Sequence, residues 1–306
     1  MPMIDSVRLV RGRDGSAAQL HAVGLLHDGD RWLAYGEVKR QGPTFQGVAL
    51  YATSDFVDWE DLGMALPVGR PGEMTGPDRV IERPRVLRCP ATGLYVMYIH
   101  VEGSGDYSYA HLGTAVSPVP TGPFVPLQTM RFGTNPSRDI YAFQDRDGTG
   151  YILSEDRERG THIYRLSEDY LSLVEDVVCL KGRDYRYGYE SPILVRRGDT
   201  YYWFGSHLTG WECNDNMYST ARDLHGPWSP WKPLAPLGSG TYGSQCDAIV
   251  PLGGGWNDAS VYLYIGDRWR PDALGDSPLV ALPLVLEGDR ARLLWRRRWD
   301  AGERQR

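Results

Sequence analysis

Three acidic residues and one amide recur at the same phase of a repeated pattern. Glu82 lies in Ile81-Glu82-Arg83-Pro84-Arg85-Val86, Asp139 in Ser137-Arg138-Asp139-Ile140, and Glu190 in Tyr189-Glu190-Ser191-Pro192-Ile193-Leu194. Gln245, in Gly243-Ser244-Gln245-Cys246-Asp247, and His21 take the same place in two further copies. Each sits just before an apolar strand. Carboxylates that meet across a narrow channel push their pKa values apart, so that one stays protonated beside a charged neighbour. Singly, each can cap a strand or pair with Arg83 or Arg138. Three at one phase point to a shared site.

The elements that would bring them together are strands. Each unit has a short inner segment, an aromatic strand, a third strand and a turn into an edge strand. Residues 32–37 lead to 47–53 and Ser54-Asp55, residues 94–100 to 112–117 and Gly122-Pro123. Residues 150–155 lead to 161–167 and Glu168-Asp169, residues 200–206 to 216–221 and Gly226-Pro227. The fifth copy is 260–267, followed by 279–284 and 291–295. The strands are rich in Val, Tyr, Trp and Leu and bounded by Gly, Asp or Pro. No segment keeps a helical period over three turns. Five copies of roughly 50–60 residues match the blades of an all-β, five-bladed β-propeller. A blade cannot bury both faces alone, so blades stack and the ring closes. Without a linker-like break, residues 1–306 read as a single catalytic domain whose inner strands line a central channel. A β-sandwich is the competing arrangement.

Composition bounds the partners. The 306 residues suffice for a core without disulfides or structural metals. Net charge is −6 with no basic stripe, which argues against nucleic acid. The basic run Arg296-Arg297-Arg298, with Arg304 and Arg306, reads as a solvated tail. No apolar run approaches the ~20 residues of a membrane span, so no membrane partner is expected. Cys89, Cys179, Cys213 and Cys246 are scattered without a CxxC pair, which speaks against a zinc site or disulfide framework. The seven His form no ligand-spaced cluster, so neither a catalytic metal nor another cofactor is expected. The start, Met1-Pro2-Met3-Ile4-Asp5, lacks signal-peptide character. A cytoplasmic location is the expectation, or a secreted one if a leader was trimmed. Tyr 19 and Trp 10 against Phe 6 suit half-exposed rings lining a pocket, and sugar binding is one use for them.

Seven short motifs in order carry a resemblance. They are Tyr35-Gly36-Glu37, Glu82-Arg83-Pro84, Ser137-Arg138-Asp139, Glu190-Ser191-Pro192, Thr209-Gly210-Trp211, Gly243-Ser244-Gln245 and Gly266-Asp267-Arg268-Trp269. Through them the chain resembles glycoside hydrolase family 43, and within it the exo-β-1,3-galactanase-like branch. The resemblance implies hydrolysis with inversion, which needs a general acid and an activated water on opposite faces of the sugar. It makes Glu190 the acid and Asp139 the carboxylate that keeps Glu190 protonated and oriented. The family's usual base, an Asp on the first inner strand, is missing from Gln19-Leu20-His21-Ala22-Val23. Gln245 then acts as an imidic acid or positions the water, and Glu82 is the other candidate. Glu37, Tyr107, Arg138, Trp211, Asp267 and Arg268 read as sugar contacts. Glu37 can instead satisfy a buried Arg, and Arg268 can pair with Asp267 or Glu190.

Three functions follow. The first is an exo-acting, inverting enzyme that releases galactose from β-1,3-galactan or related oligosaccharides and polysaccharides. The second is a β-xylosidase or α-L-arabinofuranosidase of the same family, since fold does not fix the sugar. The third, prompted by the missing base, is a non-catalytic carbohydrate-binding propeller.

Overall fold

The computed structural model describes residues 3–12, 15–103, 106–183, 187–252 and 261–301. Ser260, expected to open the fifth repeat, lies outside the described residues, as do Arg304 and Arg306 of the basic tail and Met1 and Pro2. So do residues 104–105 of the loop before Tyr107.

Five antiparallel sheets follow one another along the chain, and each is a blade. Their inner strands are His21–Asp28, Val80–Arg88, Ile140–Gln144, Glu190–Arg197 and Gln245–Leu252. Each inner strand packs against the next, and the fifth packs against the first, which closes the ring. The second strands are Arg31–Glu37, Tyr95–Glu102, Gly150–Glu155, Thr200–Ser206 and Val261–Asp267. They are almost wholly buried, because neighbouring blades cover both faces, and so they read as apolar runs. Outer strands such as Glu60–Leu66 are largely exposed and polar.

The cores lie between blades. Leu33, Tyr35 and Leu50 of the first blade meet Val86, Met97 and Ile99 of the second. The same sandwiching recurs at the other four junctions, ending with Val23 and Ala34 against Val250 and Leu263. The sequence repeat does not disclose how the fifth blade is completed. Val7–Arg8 pairs with Leu279–Glu287, so a strand from near the N-terminus finishes the last blade. Met3–Asp5 likewise pairs with Arg298–Asp300. Among the described residues helix is confined to one short turn at Gly240–Gly243 and a 3₁₀ turn at Leu274–Asp276. Among the described residues no helix is long and apolar enough to cross a membrane.

Close approach of inner strands fixes Gly24. A Cβ there would lie 2.1 Å from the carbonyl oxygen of Pro84 on the second inner strand. That contact is with backbone and cannot be relieved by a rotamer change. Gly24→Ala is therefore expected to destabilise the protein by at least the ~1–3 kcal/mol typical of overpacking. Urea unfolding of the variant against the parent measures it, and an unchanged midpoint would contradict this packing.

Candidate active site

One level of the propeller carries the candidate residues. At it, His21 pairs with Glu37, Glu82 with His100, Glu190 with Ser206, and Gln245 with Asp267. Asp139 faces Glu155 in the third blade, where the Glu155 N–H donates to the Asp139 carbonyl (3.0 Å) and the Arg138 N–H to the Glu155 carbonyl (2.9 Å). Three of these inner strands shift register directly after the paired residue, and the fifth does so one residue later, after Cys246. In three of them the next residue is left-handed: Ala22 (φ 46°), Arg83 (φ 56°) and Ser191 (φ 49°). Such β-bulges end regular pairing and re-aim a side chain. Left-handed backbone costs a non-glycine residue roughly 1–2 kcal/mol, a strain that gathers at working sites.

The resulting cavity, of about 240 Å³, is lined by Glu82, Asp139, Glu190, Gln245, Trp211 and Trp269, among others. Arg83 runs beneath it. Its Nε donates to Asp139 Oδ2 (3.0 Å), Nη1 to Asp247 Oδ1 (2.6 Å) and Nη2 to Gln245 Oε1 (2.8 Å), while its backbone N–H donates to Glu37 Oε1 (2.7 Å). Asp139 Oδ2 also accepts the Ser191 N–H at 2.8 Å. Gln245 is fully engaged. Its Oε1 accepts from Arg83 and from Trp269 Nε1 (2.9 Å), and its Nε2 donates to Glu190 Oε1 and Ser206 Oγ, both at 3.0 Å. Arg and Trp only donate, so the oxygen must face them and the amide nitrogen must face Glu190.

Electrostatics separates the carboxyls. Burial, and next the charge of Asp139, push Glu190 well above the usual carboxylate range, with Arg83 and Arg157 opposing. Glu190 is therefore the group held protonated. Glu82 is the reverse case. Burial disfavours its charge, but Lys39, His100 and Arg83 together hold it well below the ordinary range. Lys39 Nζ lies 2.9 Å from Glu37 Oε2 and 3.6 Å from Glu82 Oε1. His100 Nδ1 lies 3.3 Å from Glu82 Oε2, and its Nε2 lies 2.9 Å from Glu102 Oε1. Burial lowers the imidazole, yet those two carboxylates raise it to about 9, so His100 is a cation at neutral pH.

The remaining expected contacts divide. Tyr107 reaches Glu82 Oε1 with its hydroxyl (3.3 Å), and Arg138 lies over the Tyr107 ring, 5.9 Å from its centroid. Trp211 stands edge-on to Trp269 at 4.7 Å, and both line the cavity. Glu37 also lines it, but its oxygens are taken by Lys39 and the Arg83 N–H. Asp267 and Arg268 point elsewhere. Asp267 is fully buried, accepting the Ala22 N–H (2.7 Å) and facing His21 Nδ1 (3.1 Å). Arg268 donates to the carbonyls of Gly243 and Tyr242, bracing the left-handed pair Thr241 and Tyr242. His21 stays behind the wall, against Trp269. The sequence reading passed over Lys39, His100, Glu155 and Arg157. Glu82, His100 and Asp139 lie close enough to hold a cation, which would have to displace the proton of His100.

A propeller floor that sets a buried, proton-holding Glu190 beside Asp139 and near an ionised Glu82 is glycosidase geometry, and the comparisons agree. The model of Glycosyl hydrolases family 43 matches residues 25–247. The chain belongs to this family. It is a glycosidase. A solved protein of Bifidobacterium bifidum s17, assigned as an exo-beta-1,3-galactanase, is 52% identical over 95% of this chain and 96% of its own, with a TM-score of 0.93. The exo-beta-1,3-galactanase of Phanerochaete chrysosporium, solved with galactose, is 31% identical over 97% of this chain and 68% of its own (TM-score 0.90). That of Clostridium thermocellum is 30% identical over 99% and 68% (TM-score 0.88). None of the curated proteins matches the chain.

Charged His100 links this site to stability. Its folded pKa of about 9 lies above the ordinary ~6.5, so the folded state binds the extra proton. The stabilisation is complete below pH ~6.5 and is lost as pH rises through about 9. Urea unfolding at both ends of that window should show the parent weakening more than His100→Gln does. Equal pH slopes for the two proteins would refute the charge assignment.

Proposed function

We propose that this glycosidase releases galactose from the end of β-1,3-linked galactan, with inversion, and that Glu190 is its general acid. The observation carrying the reading is Glu190 itself: a buried carboxyl held protonated beside Asp139 at the cavity floor. The names of the similar solved proteins support the sugar and linkage. A pit of about 240 Å³, below the ~300–1,000 Å³ usual for larger ligands, suits the end of a chain. Trp211 and Trp269 offer apolar faces for a pyranose, and ionised Glu82, clasped by Lys39 and His100, suits hydroxyl donors.

In this mechanism Glu190 gives its proton to the leaving oxygen as the C1–O bond breaks. Asp139, fixed by Arg83 and the Ser191 N–H, keeps that proton in place beforehand. Gln245 orients the attacking water. Its oxygen, held by two donor-only groups, keeps it an ordinary amide and disfavours the imidic form, whose O–H would face two N–H donors. An oxocarbenium-like transition state lets the water's proton leave late, so an orienting amide suffices. In the resting state Gln245 Nε2 is 3.0 Å from Glu190, much closer than the ~6.5–9.5 Å that admits a water, so substrate must part them.

Glu190→Gln is expected to lower turnover on β-1,3-galactan by the ~10²–10⁴-fold typical of a lost general acid. The loss should be smaller on nitrophenyl β-galactoside, whose leaving group needs little protonation. NMR of the first product should show α-galactose, and pentose release or a silent substrate panel would overturn the reading.

Gln245 and Glu82 are separated by kinetics. Gln245→Ala should cripple turnover while leaving galactose affinity largely intact, whereas Glu82→Gln should mainly weaken binding. If Glu82→Gln abolishes turnover and Gln245→Ala does not, Glu82 handles the water instead.

A further inference from the structure

The five second-strand residues at the level of the site are Glu37, His100, Glu155, Ser206 and Asp267. Glu37 is held by Lys39 and a backbone N–H, Ser206 by Gln245 and Asp267 by the Ala22 N–H. His100 bonds Glu102 through Nε2, while its Nδ1 has no hydrogen-bond partner among the described residues but lies 3.3 Å from Glu82. Glu155 is fully buried, and neither of its oxygens has a hydrogen-bond partner among the described residues. A buried carboxyl without donors is costly, so its retention at this level calls for a role.

Its nearest cation supplies one. Arg157 is left-handed (φ 61°), which folds its side chain back over the strand end. Its Nε lies 3.8 Å from Glu155 Oε2 and its Nη2 lies 3.7 Å from Glu190 Oε2. The same guanidinium therefore faces both carboxyls. At 45% exposure it is the member that reaches solvent, whereas the backbone of Glu155 is held by bonds to Arg138 and Asp139.

We propose that Glu155 and Arg157 are positioning residues for the acid, a buried carboxyl and a shared guanidinium that set how readily Glu190 gives up and regains its proton. The proposal rests on Glu190 being the general acid. When Glu190 protonates the leaving oxygen, a carboxylate appears at the cavity floor. Arg157 compensates it fully only while Glu155 is neutral. Below about pH 7 Glu155 keeps its proton through the step, and Glu190 recovers its own from the one the attacking water sheds. Burial raises Glu155 to about 7, with Arg157 opposing. The charged groups around Glu155 are Arg157 and Asp156 on its own stretch and Arg138 and Asp139 on the facing strand, with Glu190 across the blade junction. If Glu155 ionises it competes for Arg157 and pushes the proton back onto Glu190.

The test is the basic limb of the kcat/KM–pH profile, which reports Glu190 losing its proton. Glu155→Gln removes the like charge that Glu155 carries above about pH 7 and should move the limb down, while Arg157→Met removes the opposing cation and should move it up. Each shift should be about half to one pH unit, at the low end for a partly exposed guanidinium. Arg157→Lys should bring the limb back towards the parent. A purely structural role would change thermal stability or kcat at every pH and leave the limb in place. Should Glu155→Gln fold poorly, the two Arg157 variants carry the test alone. A disabled Glu190→Gln with unmoved limbs overturns this proposal only. An active Glu190→Gln overturns the acid assignment, and this proposal falls with it.

Discussion

Arg83 joins four blades at the bottom of the cavity. Its guanidinium leaves the second inner strand and reaches Asp139 of the third blade and Gln245 and Asp247 of the fifth, while its backbone N–H meets Glu37 of the first. Asp139 passes the link on to the fourth blade through the Ser191 N–H. Burying an Arg costs several kcal/mol, which only well-formed pairs offset. Here burial works against the charge, and Asp139 and Asp247 outweigh it, so that Arg83 is held firmly cationic. Remove the cation and Asp139, Asp247 and the amide of Gln245 each lose a donor. The ring closure of the propeller and the geometry of the site thus meet in one side chain.

Backbone strain is the means by which a regular fold presents irregular chemistry. A plain inner strand would alternate its side chains between the faces of the blade. The bulges after His21, Glu82, Glu190 and Cys246 interrupt that alternation at one level of the channel. Ala22, Arg83 and Ser191 adopt left-handed backbone there, and the hydrogen bonds they make stabilise it: the Ala22 N–H to Asp267, the Arg83 N–H to Glu37, the Ser191 N–H to Asp139. Asp267 and Glu37 are thereby explained as backbone clamps.

Much of this was legible in the sequence, and the rest was hidden for identifiable reasons. The blades follow from apolar strands bounded by turn residues, and Glu82, Asp139, Glu190 and Gln245 share a repeat phase that the structure brings to one cavity. Val7–Arg8 was not legible as part of the last blade, because two residues have no periodicity and their partner is more than 270 positions away. His100, Glu155 and Ser206 had a signal that went unread. Each ends an aromatic second strand, and in an antiparallel pair that end lies opposite the start of the inner strand. Lys39 and Arg157 lie past strand ends, where only the fold shows which way a long side chain turns. Arg268 was misleading for the opposite reason, since its neighbours Asp267 and Trp269 both belong to the site's surroundings while it braces a loop.

In the proposed mechanism the amide of Gln245 takes the place of the missing first-blade carboxylate. Trp269 Nε1 and Arg83 Nη2 saturate its oxygen, so the nitrogen is committed to Glu190 and Ser206. An N–H donated to Glu190 Oε1 favours the ionised acid, which opposes the burial that keeps the acid neutral. In the resting state burial and Asp139 prevail and Glu190 holds its proton. Once substrate has parted the amide from the acid, Arg157 near Oε2 is left to stabilise the carboxylate that the proposed proton transfer forms. A carboxylate in place of Gln245 would bring a further negative charge to 3.0 Å from Glu190 at rest, whereas a neutral amide does not. The first blade's lack of an acid and the fifth blade's amide are thus compatible parts of one electrostatic arrangement, in which little negative charge is placed near the acid except where Arg83 already neutralises it.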